Sequence, residues 1–181
     1  MRAYITSIGE PTTELCNWSL KRQGFETVLV EDHKQSPTSL FDKLEMIFDE
    51  VEDDFIRVDA DVVVNSNVQE LINQSEVWWY QALCFGWYSQ DVIHGGVQFI
   101  RKQALPAIKL HIQEAEQHER PESFLSRLPE FHNPRQFKTY EKICGLHGYK
   151  QNDYGRVIAT KMRRGQYGNY DFELAMKLDE L

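Results

Sequence analysis

No run of apolar residues in this sequence approaches the roughly 18 to 20 that a membrane-spanning helix requires. Its opening, MRAYITSIGEP, carries one basic residue and an apolar stretch too short for a secretory leader, so a cytoplasmic location is expected. Cysteine is scarce. Cys16, Cys84 and Cys144 are odd in number and scattered without a C-x-x-C spacing, which argues against a disulfide frame and against a structural zinc site. They read as reduced and mostly buried. Positive charge is also in deficit: 20 Lys and Arg stand against 28 Asp and Glu, and the net charge of -8 disfavours non-specific binding to a phosphate backbone. Internal repeats and low-complexity segments are absent, so neither a solenoid nor a disordered chain has support.

What is present suffices for one core. A chain of 181 residues with 41% hydrophobic content is the size of a single domain. RAYITSI, ETVLVED and DDFIRVDADVVV read as strands, with the amphipathic segments TTELCNWSLKRQG and SLFDKLEMIFDEV between them. This β-α-β-α-β start predicts an α/β, Rossmann-like domain whose central, mostly parallel mixed sheet is flanked by helices and takes ligands beyond the carboxyl ends of its strands. Thr12 or Thr13 suits the first helix's N-cap, with Glu14 in its first turn, and Gly24 suits its stop. Beyond residue 65 come a short helix in NVQELINQ, the aromatic segment VWWYQALCFGWY, and a strand, VIHGGVQFI, that runs on into a long helix with Pro106 about one turn in. RPESFLSRLPEFHNPR, punctuated by proline, is expected to flank a site, and residues after Asp153 to form two short helices broken at Gly165 to Gly168.

FIRVDADVVVN is the stretch that asks for chemistry. Asp59 and Asp61 stand one residue apart while Phe55, Ile56, Val58, Val62, Val63 and Val64 crowd both sides, and a desolvated carboxylate needs a partner. In extended structure both aspartates point the same way, with only Ala60 between them. A hard divalent cation prefers such oxygen ligands and keeps positions open for water or phosphate. An isolated Asp-x-Asp is most often a solvated turn; its place at the end of the third strand of an alternating β/α start favours a site.

With the opening strand AYITSIG, the second strand ending in VED, FIRVDADVVVN, VIHGGVQFI and the late GLHGYK, the sequence resembles glycosyltransferases of the GT-A fold over most of its length. The resemblance implies a single GT-A domain, with residues 1–65 as the nucleotide-binding half, 66–150 as the sugar and acceptor half and 151–181 as a C-terminal helical tail. It implies Mn2+ or Mg2+ bridging the diphosphate of a nucleotide sugar, expected to be a UDP-hexose, with Asp61 the better metal ligand and Asp59 a shared ligand or a ribose contact. Thr6, Ser7 and Ile8 would cradle the nucleoside, Glu31 or Asp32 would face the base, and Lys43 would lie near the nucleotide. GLHGYK resembles the H-x-x-G-x-x-K element of glycogenin-like family-eight retaining enzymes, although its spacing is compressed and the Pro-Trp that often follows is absent. By that likeness His147 is a metal ligand, Gly148 permits close backbone approach and Lys150 supplies charge to the leaving diphosphate, with Arg156 or Arg163 as later candidates.

VIHGGVQFI resembles the strand that lies along the sugar and acceptor in the same enzymes, which assigns His94 to sugar hydroxyls and lets Gly95 and Gly96 either form a bulge or admit a sugar against the backbone. Of Trp78, Trp79, Tyr80, Trp87 and Tyr88, about half suit a core strand, and Trp87 and Tyr88 suit a stacking platform. Asp91 or Glu122 would serve as base if the enzyme inverts. Two other functions stay open. A sugar-phosphate nucleotidyltransferase would share the sheet and the carboxylates, but TSIGEPTTE lacks the Gly-rich, basic loop such enzymes carry. A non-catalytic carbohydrate-binding module would use the aromatics without metal or nucleotide.

Overall fold

The computed structural model describes residues 1–31, 39–74, 77–87, 91–118, 120–131 and 136–148. Its elements follow the order β1 (Arg2–Ser7), α1 (Thr13–Arg22), β2 (Glu26–Glu31), α2 (Ser39–Glu50), β3 (Phe55–Asp59), β4 (Val62–Val64), α3 (Asn67–Ile72), β5 (Trp79–Gly86), β6 (Asp91–Ile100), α4 (Leu105–Ala115), α5 (Pro121–Leu125) and β7 (Phe137–His147). Short 3-10 turns occupy Lys102–Ala104 and Pro129–Phe131. Residues 1–149 form one compact unit; residues 150–181, including the expected pair of C-terminal helices, lie outside it and outside the described residues.

Seven strands form one mixed sheet in the order β2-β1-β3-β6-β5-β7-β4. β1 pairs in parallel with β2 and β3, β5 pairs in parallel with β7, and the β3–β6, β5–β6 and β4–β7 pairs are antiparallel. Alternation of side chains gives the sheet two apolar faces. Ala3, Ile5, Ile56 and Val58 meet Cys16 and Leu20 of α1 and Val68 and Leu71 of α3 on one side. Tyr4, Phe55, Trp79 and Ile100 meet α2, α4 and α5 on the other, through Phe41, Leu44, Phe48, Ile108 and Leu125. Each such side chain contributes about 1.5–3 kcal/mol by burial. Phe55 also lies edge-on to Tyr4, at 5.5 Å between ring centroids, and to Phe48, at 6.0 Å. Both sides of the sheet are covered, as a βαβ start requires.

The structure revises several local expectations. DDFIRVDADVVV is not one strand: β3 stops at Asp59, residues 60 and 61 turn, and Val62–Val64 pass to the far edge of the sheet to pair with β7. Thr12 precedes α1, but its hydroxyl donates to the carbonyl of Ala60 at 3.1 Å instead of capping the helix. Gly24 does follow the helix end, with φ of 83° and its amide on the carbonyl of Lys21. The long helix starts at Leu105, so Pro106 falls in its first turn. Trp79 and Tyr80 are buried in β5, and Trp79 meets Phe131 edge-on at 5.8 Å, so this part of the aromatic run is core.

All three cysteines are buried and unpaired. Burial pushes the Cys144 thiol up to about 12 and raises Cys16 and Cys84 as well, which suppresses the reactive thiolate. The folded protein is therefore expected to resist a thiol-specific disulfide reagent near pH 8, and to release three equivalents once denatured. A fast native equivalent would show that one of these core positions opens readily.

Candidate functional site

The break after β3 creates the site. Phe55, Arg57 and Asp59 share one face of the strand, and two residues before Asp59 an arginine occupies a position that apolar burial would otherwise fill. The Arg57 guanidinium is 3% exposed, donates to Asp59 Oδ1 at 2.5 Å, to Thr6 Oγ1 at 3.2 Å and to Gln98 Oε1 at 3.1 Å, and so satisfies most of its fork inside the sheet. Thr6 donates to the same Asp59 oxygen at 3.0 Å. Burial works against ionisation of Asp59, but Arg57 above all, helped by His147, Thr6 and Lys43, holds its carboxyl below the usual range. Asp59 is a fixed, compensated anion with its second oxygen left for a ligand.

Asp61 differs. The turn that carries it is clamped through its backbone: the Ala60 amide donates to Thr6, the Asp59 carbonyl accepts from the Cys16 thiol at 3.7 Å, and the Asp61 carbonyl accepts from the Gly148 amide at 2.8 Å. His147 reaches the same place from the end of β7, where it stands in register with Val62 of β4 and Gly86 of β5. Its Nε2 lies 3.5 Å from Asp61 Oδ1. Burial, with added repulsion from Asp59 and Glu10, pushes the Asp61 carboxyl up to about 6 despite the nearby imidazole. One ligand atom each of Asp59, Asp61 and His147 falls within 4.8 Å of the others. Two carboxylate oxygens and an imidazole nitrogen suit Mn2+ or Mg2+, with positions to spare for other oxygens. Two carboxylates and an imidazole whose ligand atoms converge at the end of β3 are a donor set that fits a divalent cation.

Gly96 makes room for this arrangement. Its φ is 81°, and a Cβ placed there would fall 2.8 Å from Val62 Cγ2 and 2.9 Å from His147 Cδ2. The glycine pair also falls in a bulge, in which one residue of β5, Ala82 between Gln81 and Leu83, stands against three of β6, Gly95, Gly96 and Val97 between His94 and Gln98. Gly96→Ala is therefore expected to lower stability by about 1–3 kcal/mol and to weaken Mn2+ binding by displacing His147. Gly95 has φ of 113° and open space apart from Gln81 Nε2 at 3.4 Å, so Gly95→Ala should bear the backbone strain alone and leave Mn2+ affinity intact. Calorimetric titration of Mn2+ into both variants checks the difference.

The other expected residues divide into three groups. Lys43 is 3% exposed, and its ammonium donates to the Ser7 carbonyl at 3.0 Å, placing a buried cation beneath the end of β1. Ser7 and Ile8 belong to a loop closed on itself: the Glu10 carboxylate accepts from the Ser7 hydroxyl at 2.8 Å and the Ile8 amide at 2.7 Å. Glu31 lies across from Ser7 at the exposed end of β2. Trp87 is 40% exposed, and its amide donates to the His147 carbonyl at 2.9 Å, which sets it beside the metal-type ligands. Asp91 faces Gly86, itself in register with His147. His94 is exposed on β6. Glu122 lies apart on α5, tied to Arg120 at 3.1 Å. Asp32, Tyr88, Lys150, Arg156 and Arg163 lie outside the described residues. Sequence reading missed Arg57, although its signal was plain: a lone cation in FIRVD, two residues from Asp59 and so on its face.

No protein-family model and no curated protein matches this chain. It is similar in structure to a glycosyltransferase involved in the glycosylation of the major capsid of PBCV-1, with a TM-score of 0.58 and 14% identity, covering 81% of this chain and 92% of that one. It is also similar to A197 from STIV, with a TM-score of 0.51 and 19% identity, covering 77% of this chain and 80% of that one. At such identities the likeness is one of fold. Together with a sheet that begins β2-β1-β3 and a pair of aspartates where β3 ends, it makes this chain a protein of the GT-A fold.

Proposed function

We propose that this chain is a metal-dependent glycosyltransferase that moves a hexose from a nucleotide-diphosphate sugar, a UDP-sugar, to a hydroxyl acceptor. The observation that carries the reading is the convergence of Asp59, Asp61 and His147 at the end of β3. When bound by these three, Mn2+ or Mg2+ would offset charge on the donor's diphosphate. The chain's own residues do the positioning. Arg57 and Thr6 hold one oxygen of Asp59, Gly148 fixes the Asp61 backbone, and Gly96 admits His147. Residues 1–65 form the nucleotide half in this reading, with Thr6, Ser7, Ile8 and Lys43 shaping the end of β1 and Glu31 or Asp32 facing the base. Residues 66–150 form the sugar and acceptor half, with Trp87, Tyr88, His94, Gly95 and Gly96 beside the sugar and Lys150 offsetting the leaving group. Likeness to the PBCV-1 glycosyltransferase supports the reaction class.

The nucleotidyltransferase alternative is disfavoured by the loop after β1. There the Glu10 carboxylate already takes the Ile8 amide and the Ser7 hydroxyl, and an anion stands where a phosphate-binding loop would need free donors. A carbohydrate-binding module loses part of its platform to the core, where Trp79 and Tyr80 are buried.

Thermal denaturation with UDP, in Mn2+ and in EDTA, tests the reading. At free UDP of about 100 times its dissociation constant, stabilisation of about 2.7 kcal/mol is expected with Mn2+ and none with EDTA. Equal stabilisation in both would remove the metal from the donor site.

A further inference from the structure

On the face of the sheet that carries Arg57 and Asp59, a cleft of about 470 Å³ opens between β5, β6 and α5. That volume lies within the usual range for small-molecule sites. The β-bulge shapes it. Between the pairs Gln81–Gln98 and Leu83–His94, β5 advances two residues while β6 advances four, so His94 is drawn back toward Gln81 and both line the cleft. Gly95 puts no side chain there, and a Cβ on it would fall 3.4 Å from Gln81 Nε2. Ser123 of α5 joins them, and Phe131 and Phe137 form an apolar wall.

Two guanidiniums also line the cleft, and both are already engaged: Arg120 keeps its Nε on Glu122 Oε1 at 3.1 Å, and Arg127 has a partner of its own. Among the described residues, the polar side chains of this lining that make no hydrogen bond are those of Gln81, His94 and Ser123. An amide and a hydroxyl both donate and accept, as sugar hydroxyls do, and an imidazole adds its ring nitrogens. The two phenylalanines suit the apolar face of a pyranose ring.

Its position relates the cleft to the metal-type ligands. Gln81 stands in register with Gln98, which accepts from Arg57, which in turn holds Asp59. His94 lies two residues from Gly96, and Gly96 abuts His147. The cleft therefore adjoins the ligand group from the β5–β6 side, opposite the β1–β2 side assigned to the nucleoside.

Resting on the glycosyltransferase reading, we infer that this cleft is the acceptor subsite and that it takes an uncharged saccharide. Gln81, His94 and Ser123 engage its hydroxyls, and its apolar face packs on Phe131 and Phe137. A phosphate or carboxylate on the acceptor would compete with the partners the two arginines already hold, in a chain whose net charge is -8.

An amide-resolved NMR titration in EDTA tests this without the donor. The probes are glucose, galactose, mannose, N-acetylglucosamine and glucose 6-phosphate. At least one neutral sugar is expected to shift the backbone amides of Gln81, His94 and Ser123 in a saturable way, and glucose 6-phosphate to bind no more tightly than glucose. For that neutral sugar, Gln81→Leu should weaken binding by about tenfold and Ser123→Ala by about threefold, the range that one or two neutral hydrogen bonds supply, with unchanged melting temperatures. If Gln81→Leu does not fold, Ser123→Ala carries the test, since Ser123 is only partly buried on α5. No neutral sugar reaching these amides, glucose 6-phosphate binding tenfold or more tightly than glucose, or a folded variant with wild-type affinity would overturn the inference. Absence of metal-dependent UDP binding alone would sink the donor reading and leave a neutral-sugar site; UDP binding with no neutral sugar at these amides would do the reverse.

Discussion

Asp61→Asn is expected to abolish metal-dependent UDP binding and to reduce sugar transfer by about a thousandfold, while making the metal-free protein more stable at neutral pH. Both effects follow from one asymmetry. Asp59 is compensated by Arg57 and Thr6, whereas Asp61 is buried near Asp59 and Glu10, with an imidazole at 3.5 Å. Removing its carboxylate takes away one of the three converging ligand groups, and loss of one electrostatic stabiliser at a reacting site typically reduces turnover by about 10²–10³. In the metal-free state the sign is reversed. The folded protein raises the Asp61 carboxyl to about 6, so the stability linked to this group is full in acid and is lost as pH rises through that value. The neutral amide of the variant carries no such penalty. The variant should exceed wild type by about 2 kcal/mol at pH 7.5 in EDTA, and the gap should close near pH 4. Urea denaturation at both pH values, with and without Mn2+, measures it. A variant that is less stable than wild type at pH 7.5 in EDTA, or one that retains Mn2+-dependent UDP stabilisation, would show that Asp61 is a structural residue.

The parts of this molecule that were legible in its sequence are those governed by local pattern. Period-two alternation in RAYITSI and ETVLVED and helical periodicity in SLFDKLEMIFDEV predicted the β-α-β-α-β start, and β1, β2, α2 and β3 follow it. Asp59, Asp61 and His147, singled out by spacing and resemblance, do converge. Local pattern fails where partners are distant. Nothing in VDADVVV says that the valines after Asp61 abandon the strand, because the reason lies more than 80 residues away in Gly145, Leu146 and His147, with which they pair. The two aspartates therefore meet across a clamped turn and not by alternation along one strand. The opening loop shows the same limit: Glu10 accepts from the Ser7 hydroxyl and the Ile8 amide, a closure that a β-α loop makes in three dimensions and that spacing alone does not announce.

Arg57 is the residue on which stability and site geometry are expected to depend together. Its side chain is 4% exposed, and it supplies the main attraction that keeps the Asp59 carboxyl ionised. Arg57→Gln preserves hydrogen-bonding capacity but takes from that carboxylate its main counter-charge inside the sheet. Removing one partner of a buried pair costs about 3–5 kcal/mol, and because Asp59 retains 32% side-chain exposure the lower end applies. The pH dependence distinguishes this from simple loss of packing. In wild type the depressed Asp59 carboxyl contributes stability that is present above its ordinary range and is lost only as the pH falls through the depressed value. In Arg57→Gln the largest opposing attraction is gone and only His147, Thr6 and Lys43 still act against burial, so the Asp59 carboxyl rises, and the deficit should be largest at neutral pH and should shrink on acidification as the group takes a proton. Adding Asp59→Asn to Arg57→Gln should recover about 2 kcal/mol of the loss, since the stranded charge is gone, and a double-mutant cycle in urea gives that coupling directly. If the deficit is independent of pH and the second substitution recovers nothing, Arg57 acts by filling space, and the compensation that sets Asp59 apart from Asp61 lies elsewhere.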